Sequence, residues 1–191
     1  VLAREMLRNP ALLDVERPSA PAVGVTHAAY PVASDLKIPL LVELLSRPNV
    51  RNALVFTRTK HRANRLAERL GHRGVPAERI HGNRTQAQRT RALADFKAGR
   101  VRVLVATDIA ARGIDVTGLS HVVNFDVPAA AEDYIHRVGR TARAEAVGDA
   151  MTLVSPAEET DFRWIERAVG KPIARVTLAG FNYAASGGER R

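Results

Sequence analysis

The chain has 191 residues, with 29 Lys+Arg against 20 Asp+Glu and a formal net charge of +9. The lack of cysteine excludes a disulfide framework and a thiolate metal site, and the six histidines are scattered without zinc-ligand spacing. Hydrophobic content of 46% suits a globular domain with a proper core and no membrane span, which predicts a cytoplasmic location; the cationic surplus points to an anionic partner, nucleic acid first.

Val1 to Glu16 reads as a helix stopped by Asn9-Pro10 and then a short strand. Arg17 to Gly24, rich in proline and alanine, reads as an extended, semi-rigid linker. His27–Val32 is a predicted strand, and Asp35–Ser46 a helix with Leu36, Leu40, Leu41, Leu44 and Leu45 at helical spacing. A buried strand is predicted at Asn52–Thr57, an amphipathic helix at Lys60–Gly71, a short strand at Ala77–His81, and a helix at Gln86–Lys97 ending near Gly99. The remaining predicted elements are strands at Val101–Ala106, His121–Asp126 and Asp149–Val154, and helices at Ala131–Val138 and at Glu158–Val169, the last capped by Gly170. Such alternation predicts an α/β fold, a mostly parallel sheet with helices on both faces. Near-continuous apolar runs such as Val101–Val105 and Val122–Phe125 fit strands buried on both sides. Trp164, beside Phe162 and Ile165, is assigned to core or partial-core packing, and the polar tail Ala185–Arg191 is expected to be disordered.

Two segments carry chemistry. Tyr134–Arg143 reads Tyr-Ile-His-Arg-Val-Gly-Arg-Thr-Ala-Arg, a density of fixed cations that a polyphosphate or nucleic acid would balance. A solvated basic helical turn is the plain alternative. Val103–Asp115 reads Val-Leu-Val-Ala-Thr-Asp-Ile-Ala-Ala-Arg-Gly-Ile-Asp, an apolar strand running into polar residues and glycine, which is how an α/β protein builds a site at a strand's C-terminal end.

Taken in chain order, Val103–Asp115 and then Tyr134–Arg143, the two segments resemble motifs V and VI of the DEAD-box RNA helicases, written Thr-Asp-x-Ala-Ala-Arg-Gly-x-Asp and His-Arg-x-Gly-Arg-x-x-Arg. His136 separates the chain from the related DEAH type, which usually carries Gln there. Phe56–Lys60 is similar to motif IV, and His81-Gly82-Asn83 with Gln86 and Arg89 to the family's His-Gly-Asp and Gln-x-x-Arg elements. Neither a Gly-x-x-x-x-Gly-Lys-Ser/Thr loop nor an Asp-Glu-Ala-Asp run occurs. The resemblance therefore implies the second of two RecA-like domains, a three-layer sandwich over residues 25–184. Residues 1–24 would be the end of the first domain with the interdomain linker, and 185–191 a disordered tail.

The resemblance also implies roles. Arg140 and Arg143 match the arginine fingers that reach the γ-phosphate of ATP, with His136 placed beside them in the catalytic group. Asp115 matches the aspartate on the ATP ribose, with Gly113 in the same loop. Thr59, Gly82, Gln86, Arg89 and Thr107 match contacts to the RNA backbone; for Thr59, a simple helix N-cap is the competing reading, and both can hold. Asp108, Arg112 and Arg137 are placed at the interface with the first domain, with structural ion pairing as the alternative for Asp108 and Arg112. The cofactor implied is ATP with Mg2+, the metal held mainly by the first domain. The partners implied are RNA, read with little sequence preference, and that first domain, and the isolated chain is expected to lack ATPase activity. Two rivals remain: a RecA-like binding module without an ATPase role, and a DNA-directed helicase of the same superfamily. The family's usual glycines at Ala142 and Glu145 are replaced here, which leaves the arginine spacing intact.

Overall fold

Short runs of valine, leucine and alanine alternate in side-chain direction along each strand, and helices cover both resulting faces. In the computed structural model, residues 24–112, 114, 116, 119–141 and 148–185 are described. The helix, strand and linker expected at 1–23, and tail residues 186–191, lie outside the described residues.

The strands are β1 Val25–Pro31, β2 Ala53–Phe56, β3 Ala77–Ile80, β4 Val103–Ala106, β5 His121–Asn124, β6 Gly148–Val154 and β7 Ala174–Arg175. The helices are α1 Lys37–Leu45, α2 Lys60–His72, α3 Gln86–Lys97, α4 Asp108–Ala111, α5 Ala131–Val138 and α6 Glu159–Val169. The sheet runs β3-β4-β2-β5-β6-β1-β7, and every neighbouring pair is parallel. Ala53, Val55, Val103, Val105 and Val123 pack towards α1 and α2. Leu54, Phe56, Leu104, Ala106 and Val122 face the other way, onto α3 and α4. A third cluster seats Tyr134 of α5 and Phe162 and Ile165 of α6 against Ala29 and Ala150. The result is the expected RecA-like sandwich of helix, sheet and helix layers.

Because all strands run one way, the loops after β2, β3, β4 and β5 emerge on one edge, where ligands of open parallel sheets bind. Capping sets where each helix leaves that edge. Thr59 caps α2, Thr85 and Gln88 form a capping box on α3, and Gly170 closes α6 in the left-handed region at φ 79.

Trp164 corrects one expectation. It is 64% exposed, whereas Phe162, Ile165 and Val169 form the buried stripe of α6. Trp164 stands two positions from Phe162 and one from Ile165, which turns it off that stripe. Among the described residues, no helix is long and apolar enough to cross a membrane.

Candidate functional site

Arg137 is the pivot of the sheet's C-terminal edge. It sits on the inner face of α5 and is only 2% exposed. Its Nε donates to Asp108 Oδ1 at 2.6 Å and its Nη2 to Asp108 Oδ2 at 2.8 Å. Nη1 donates to Asn124 Oδ1 at 3.1 Å and to the Asp126 carbonyl at 2.8 Å, and the guanidinium lies 5.0 Å from the centre of the Phe56 ring. This fork fastens α5 to the ends of β2, β4 and β5 at once. Beside it, Arg112 Nη2 meets Asp133 Oδ1 at 2.9 Å, a more exposed pair joining α4 to the first turn of α5.

His136 and Arg140, by contrast, open towards the surface. Phe56, Asp108, Arg112, Asp133, His136 and Arg140 line one cleft, with Ala111 and Arg137 at its floor. His136 is exposed, and half-buried Arg140 donates through Nη1 to the Ile114 carbonyl at 3.3 Å. The turn carrying Arg140 is pinned on its far side, where buried Thr141 donates its hydroxyl to the Leu119 carbonyl at 2.9 Å. The structure thus brings together Asp108, Arg112, His136, Arg137 and Arg140. Gly113, Asp115 and Arg143, predicted for the nucleotide, lie outside the described residues, as do Ala142 and Glu145.

The second group stands along the ends of β3, β4 and β2. Thr59 is exposed and accepts the Arg62 amide at 3.2 Å, so it is a working N-cap. Accepting one bond leaves its hydroxyl proton able to donate. Gly82 is exposed, and a Cβ there would meet nothing within 4 Å, so the fold itself does not demand glycine. Lys60 Nζ reaches Asn83 Oδ1 at 3.1 Å and ties the loop after β2 to the loop after β3. Gln86 opens α3 on the solvent side, while Arg89 reaches over to the Ala110 carbonyl at 3.4 Å. Thr107 is at the N-cap position of α4, buried, and makes no side-chain cap bond.

Electrostatics on this edge are set by burial and by crowded cations. His81 closes β3 and is paired through Nε2 with Asn64 Oδ1 at 2.9 Å. Burial holds its pKa below the ordinary histidine value, and the charges of Arg84, Arg79, Lys60 and His61 push the same way. Deeper in, Lys37 is buried and donates to the Phe125 carbonyl at 2.8 Å and to Glu158 at 2.5 Å. Burial lowers the Lys37 pKa against the opposing pull of Glu158, which it keeps in place at the head of α6. Sequence reasoning passed over Asn124, Asp126 and Lys37. The available signal for the first two was a polar alternation, Asn124-Phe125-Asp126, closing an otherwise apolar strand. Among the described residues, no group of three or more His, Cys, Asp or Glu side chains could hold a metal ion.

With this geometry in hand, similarity to known proteins is informative. The family described as helicase conserved C-terminal domain matches residues 36–145. The DEAD-box ATP-dependent RNA helicase CshA of Geobacillus kaustophilus is 39% identical over 189 residues, 99% of this chain and 40% of that protein. The chain therefore spans less than half the length of that relative. Among solved structures, Escherichia coli DEAD-box protein SrmB, bound to regulator of ribonuclease activity A, aligns with TM-score 0.81 and 35% identity over 87% of this chain and 98% of that one. Saccharomyces cerevisiae Dbp5 bound to RNA and ADP BeF3 aligns with TM-score 0.81 and 29% identity over 92% of this chain and 47% of that one. A parallel RecA-like sheet, the arginine cleft on its C-terminal edge and this breadth of similarity place the chain in the helicase conserved C-terminal domain family, as the RecA-like C-terminal domain of a DEAD-box protein.

Proposed function

We propose that the chain is the second RecA-like domain of an ATP-dependent RNA helicase, binding the RNA backbone and supplying arginines to ATP hydrolysis when it closes on the first domain. The observation that carries this reading is the division of labour between neighbouring arginines. Arg137 is wholly engaged inside the fold, and the turn it fixes presents Arg140 with His136 at the cleft mouth. Guanidinium and imidazole donors suit a polyphosphate. In phosphoryl transfer, charge grows on the γ-phosphoryl oxygens, and a positioned arginine can contribute roughly 10³–10⁵ in rate. On closure, Arg140 would exchange the Ile114 carbonyl for a phosphate oxygen. Arg143 would act with it, and Asp115 and Gly113 would hold the nucleotide, roles that rest on the motif match alone. Mg2+ bound with the ATP would be held by carboxylates of the first domain and would neutralise phosphate charge.

Thr59, Gly82, Gln86, Arg89 and Thr107 would meet successive backbone phosphates. Their hydroxyl, amide and guanidinium donors carry no base-reading pattern, so sequence preference should be small and salt dependence strong. For the interdomain contact, Arg137 would act from within, holding Asp108 in place, and Arg112 from the surface. Ile109, 82% exposed on α4 between Asp108 and Arg112, offers that interface an apolar anchor.

The test is RNA-stimulated ATP hydrolysis by this chain alone and mixed with the first RecA-like domain of a DEAD-box relative. The expected result is no turnover alone, recovery on mixing, and a loss of about 10³-fold with Arg140→Ala. Turnover by the isolated chain would overturn the reading that the active site is shared between two domains, and recovery indifferent to Arg140→Ala would overturn the arginine assignment and favour a plain binding module.

A further inference from the structure

The outer face of α6 carries the chain's single tryptophan, exposed to solvent, with the Arg167 guanidinium 5.2 Å from the ring centre. The end of the helix borders a groove of about 440 Å³ lined by Arg163, Glu166, Arg167, Gly170, Lys171 and Pro172. The carboxylates nearby are already engaged. Glu166 accepts from the Arg175 side chain and, at 2.6 Å, from the Ile173 amide. Glu159 accepts from Arg163 at 3.1 Å and from Arg175 at 2.8 Å. Burial pushes both carboxyls up, but the hydrogen bonds from arginine outweigh it and hold them below the usual carboxylate range. Among the described residues, Arg167 and Lys171 have no carboxylate partner. An exposed tryptophan flanked by unmatched cations is the composition of an interface hot spot.

We propose that this groove docks an acidic segment of a partner protein, one that lays an aromatic or aliphatic side chain on Trp164 and carboxylates on Arg167 and Lys171. A protein segment fits better than nucleic acid for two reasons. Glu166 forms part of its wall, which a peptide can avoid by spacing its charges and a phosphodiester chain cannot. Its position is also separate from the helicase site. Lys171 precedes β7 and acts on His27 at the start of β1, so the groove is at the edge of the sheet opposite Thr59, Gly82 and Thr107. A partner there leaves the RNA and ATP surfaces clear.

Trp164 supplies its own readout. The probe is the peptide Glu-Asp-Glu-Leu-Phe-Asp-Glu-Asp, titrated into the full chain while tryptophan emission is recorded. A saturable change in emission is expected, with the dissociation constant raised about tenfold by Lys171→Glu and raised further by added salt. A control peptide with Ser-Ser in place of Leu-Phe should give no saturable change, and single-stranded RNA should leave the emission as it was. Lys171 is exposed and outside α6, and an unchanged far-UV circular dichroism spectrum verifies that the variant is folded. No response to the probe, equal binding by Lys171→Glu, or an emission change caused by RNA that the probe reverses would each overturn the proposal, the last by making the groove a nucleic-acid site.

Discussion

Arg137 and Arg140 have the same side chain in the same short segment, and their surroundings give them opposite work. Arg137 lies over Phe56 with its donors divided between Asp108, Asn124 and the Asp126 carbonyl. A buried charge of this kind adds little net stability compared with an apolar residue of the same shape, but removing one member leaves the others desolvated and unpaired. Lysine cannot replace it, because a point charge on a flexible stem cannot bridge a carboxylate bidentately and two further acceptors at once. Arg137→Lys should therefore lower unfolding free energy by about 3 kcal/mol, near the low end for breaking a buried pair because Asp108 is 25% exposed. Equilibrium urea unfolding measures this. A loss below about 0.5 kcal/mol, the scale of an ordinary surface change, would show that the fork is not what fixes α5. His136, exposed on the same helix, has no such structural duty, so its substitution separates activity from folding where Arg137 does not.

The element most sensitive to a small change is the return from α5 into β6. Gly148 opens β6 directly beneath Thr141, and a Cβ built there would come within 1.8 Å of Thr141 Oγ1 and 2.7 Å of its Cβ. Thr141 cannot swing away freely, since it is β-branched and its hydroxyl is bound to the Leu119 carbonyl. Gly148→Ala should therefore cost about 1–3 kcal/mol through overpacking and displace the turn that presents Arg140. Loss of reconstituted ATPase activity beyond the loss of folded protein, followed by thermal denaturation and activity on the same samples, is the expected outcome. A variant as stable and active as the parent would mean that the β6 entry moves without transmitting to Arg140. At this scale the sequence was readable wherever burial was two-sided. The runs around Leu54, Leu104 and Val122 announced strands, and the caps Thr59 and Gly170 announced helix ends. What escaped was short or set by tertiary packing. The four residues of α4 and the two of β7 have too few positions for any periodicity, and β7 is held by pairing with β1, including Val176 N to Ala29 O at 2.8 Å. Of the site, the motif spacing placed His136, Arg137 and Arg140 on one segment. Which arginine turned inwards depended on Asp108 at the start of α4 and Asn124 at the end of β5, and no local pattern reports that.

Over the whole molecule the cationic surplus makes acid the condition to which folding should be most sensitive. Two histidines are buried and a third is half-buried: His81 beside Asn64 and His121 beside Ser120, with Asp149 at 3.3 Å, are buried, and His27 stands half-buried beside the Tyr134 hydroxyl at 2.8 Å. Burial lowers the pKa of each from its ordinary value of 6.5. Lys171 adds to the effect at His27, while Arg84, Arg79, Lys60 and His61 add to it at His81; Asp149 opposes it only partly at His121. For a histidine with a depressed folded pKa, the unfolded chain takes up the proton first. The stabilisation is thus complete above pH 6.5 and is lost as pH falls from there towards the folded values. Glu158, Glu159 and Glu166 are also held below their ordinary 4.5, so their contribution persists through this first range and disappears only below that pH. The melting temperature should therefore be level above pH 6.5, decline below it, and decline again below 4.5. His121→Gln should soften the first decline and leave the second intact, because glutamine can occupy the site without titrating. Calorimetric melts of both proteins across this range make the comparison. A parent chain whose melting temperature stays level down to pH 4.5 would mean that its imidazoles accept protons in the fold as readily as in the unfolded chain, and that the crowded arginines around His81 are already neutralised by solvent and salt.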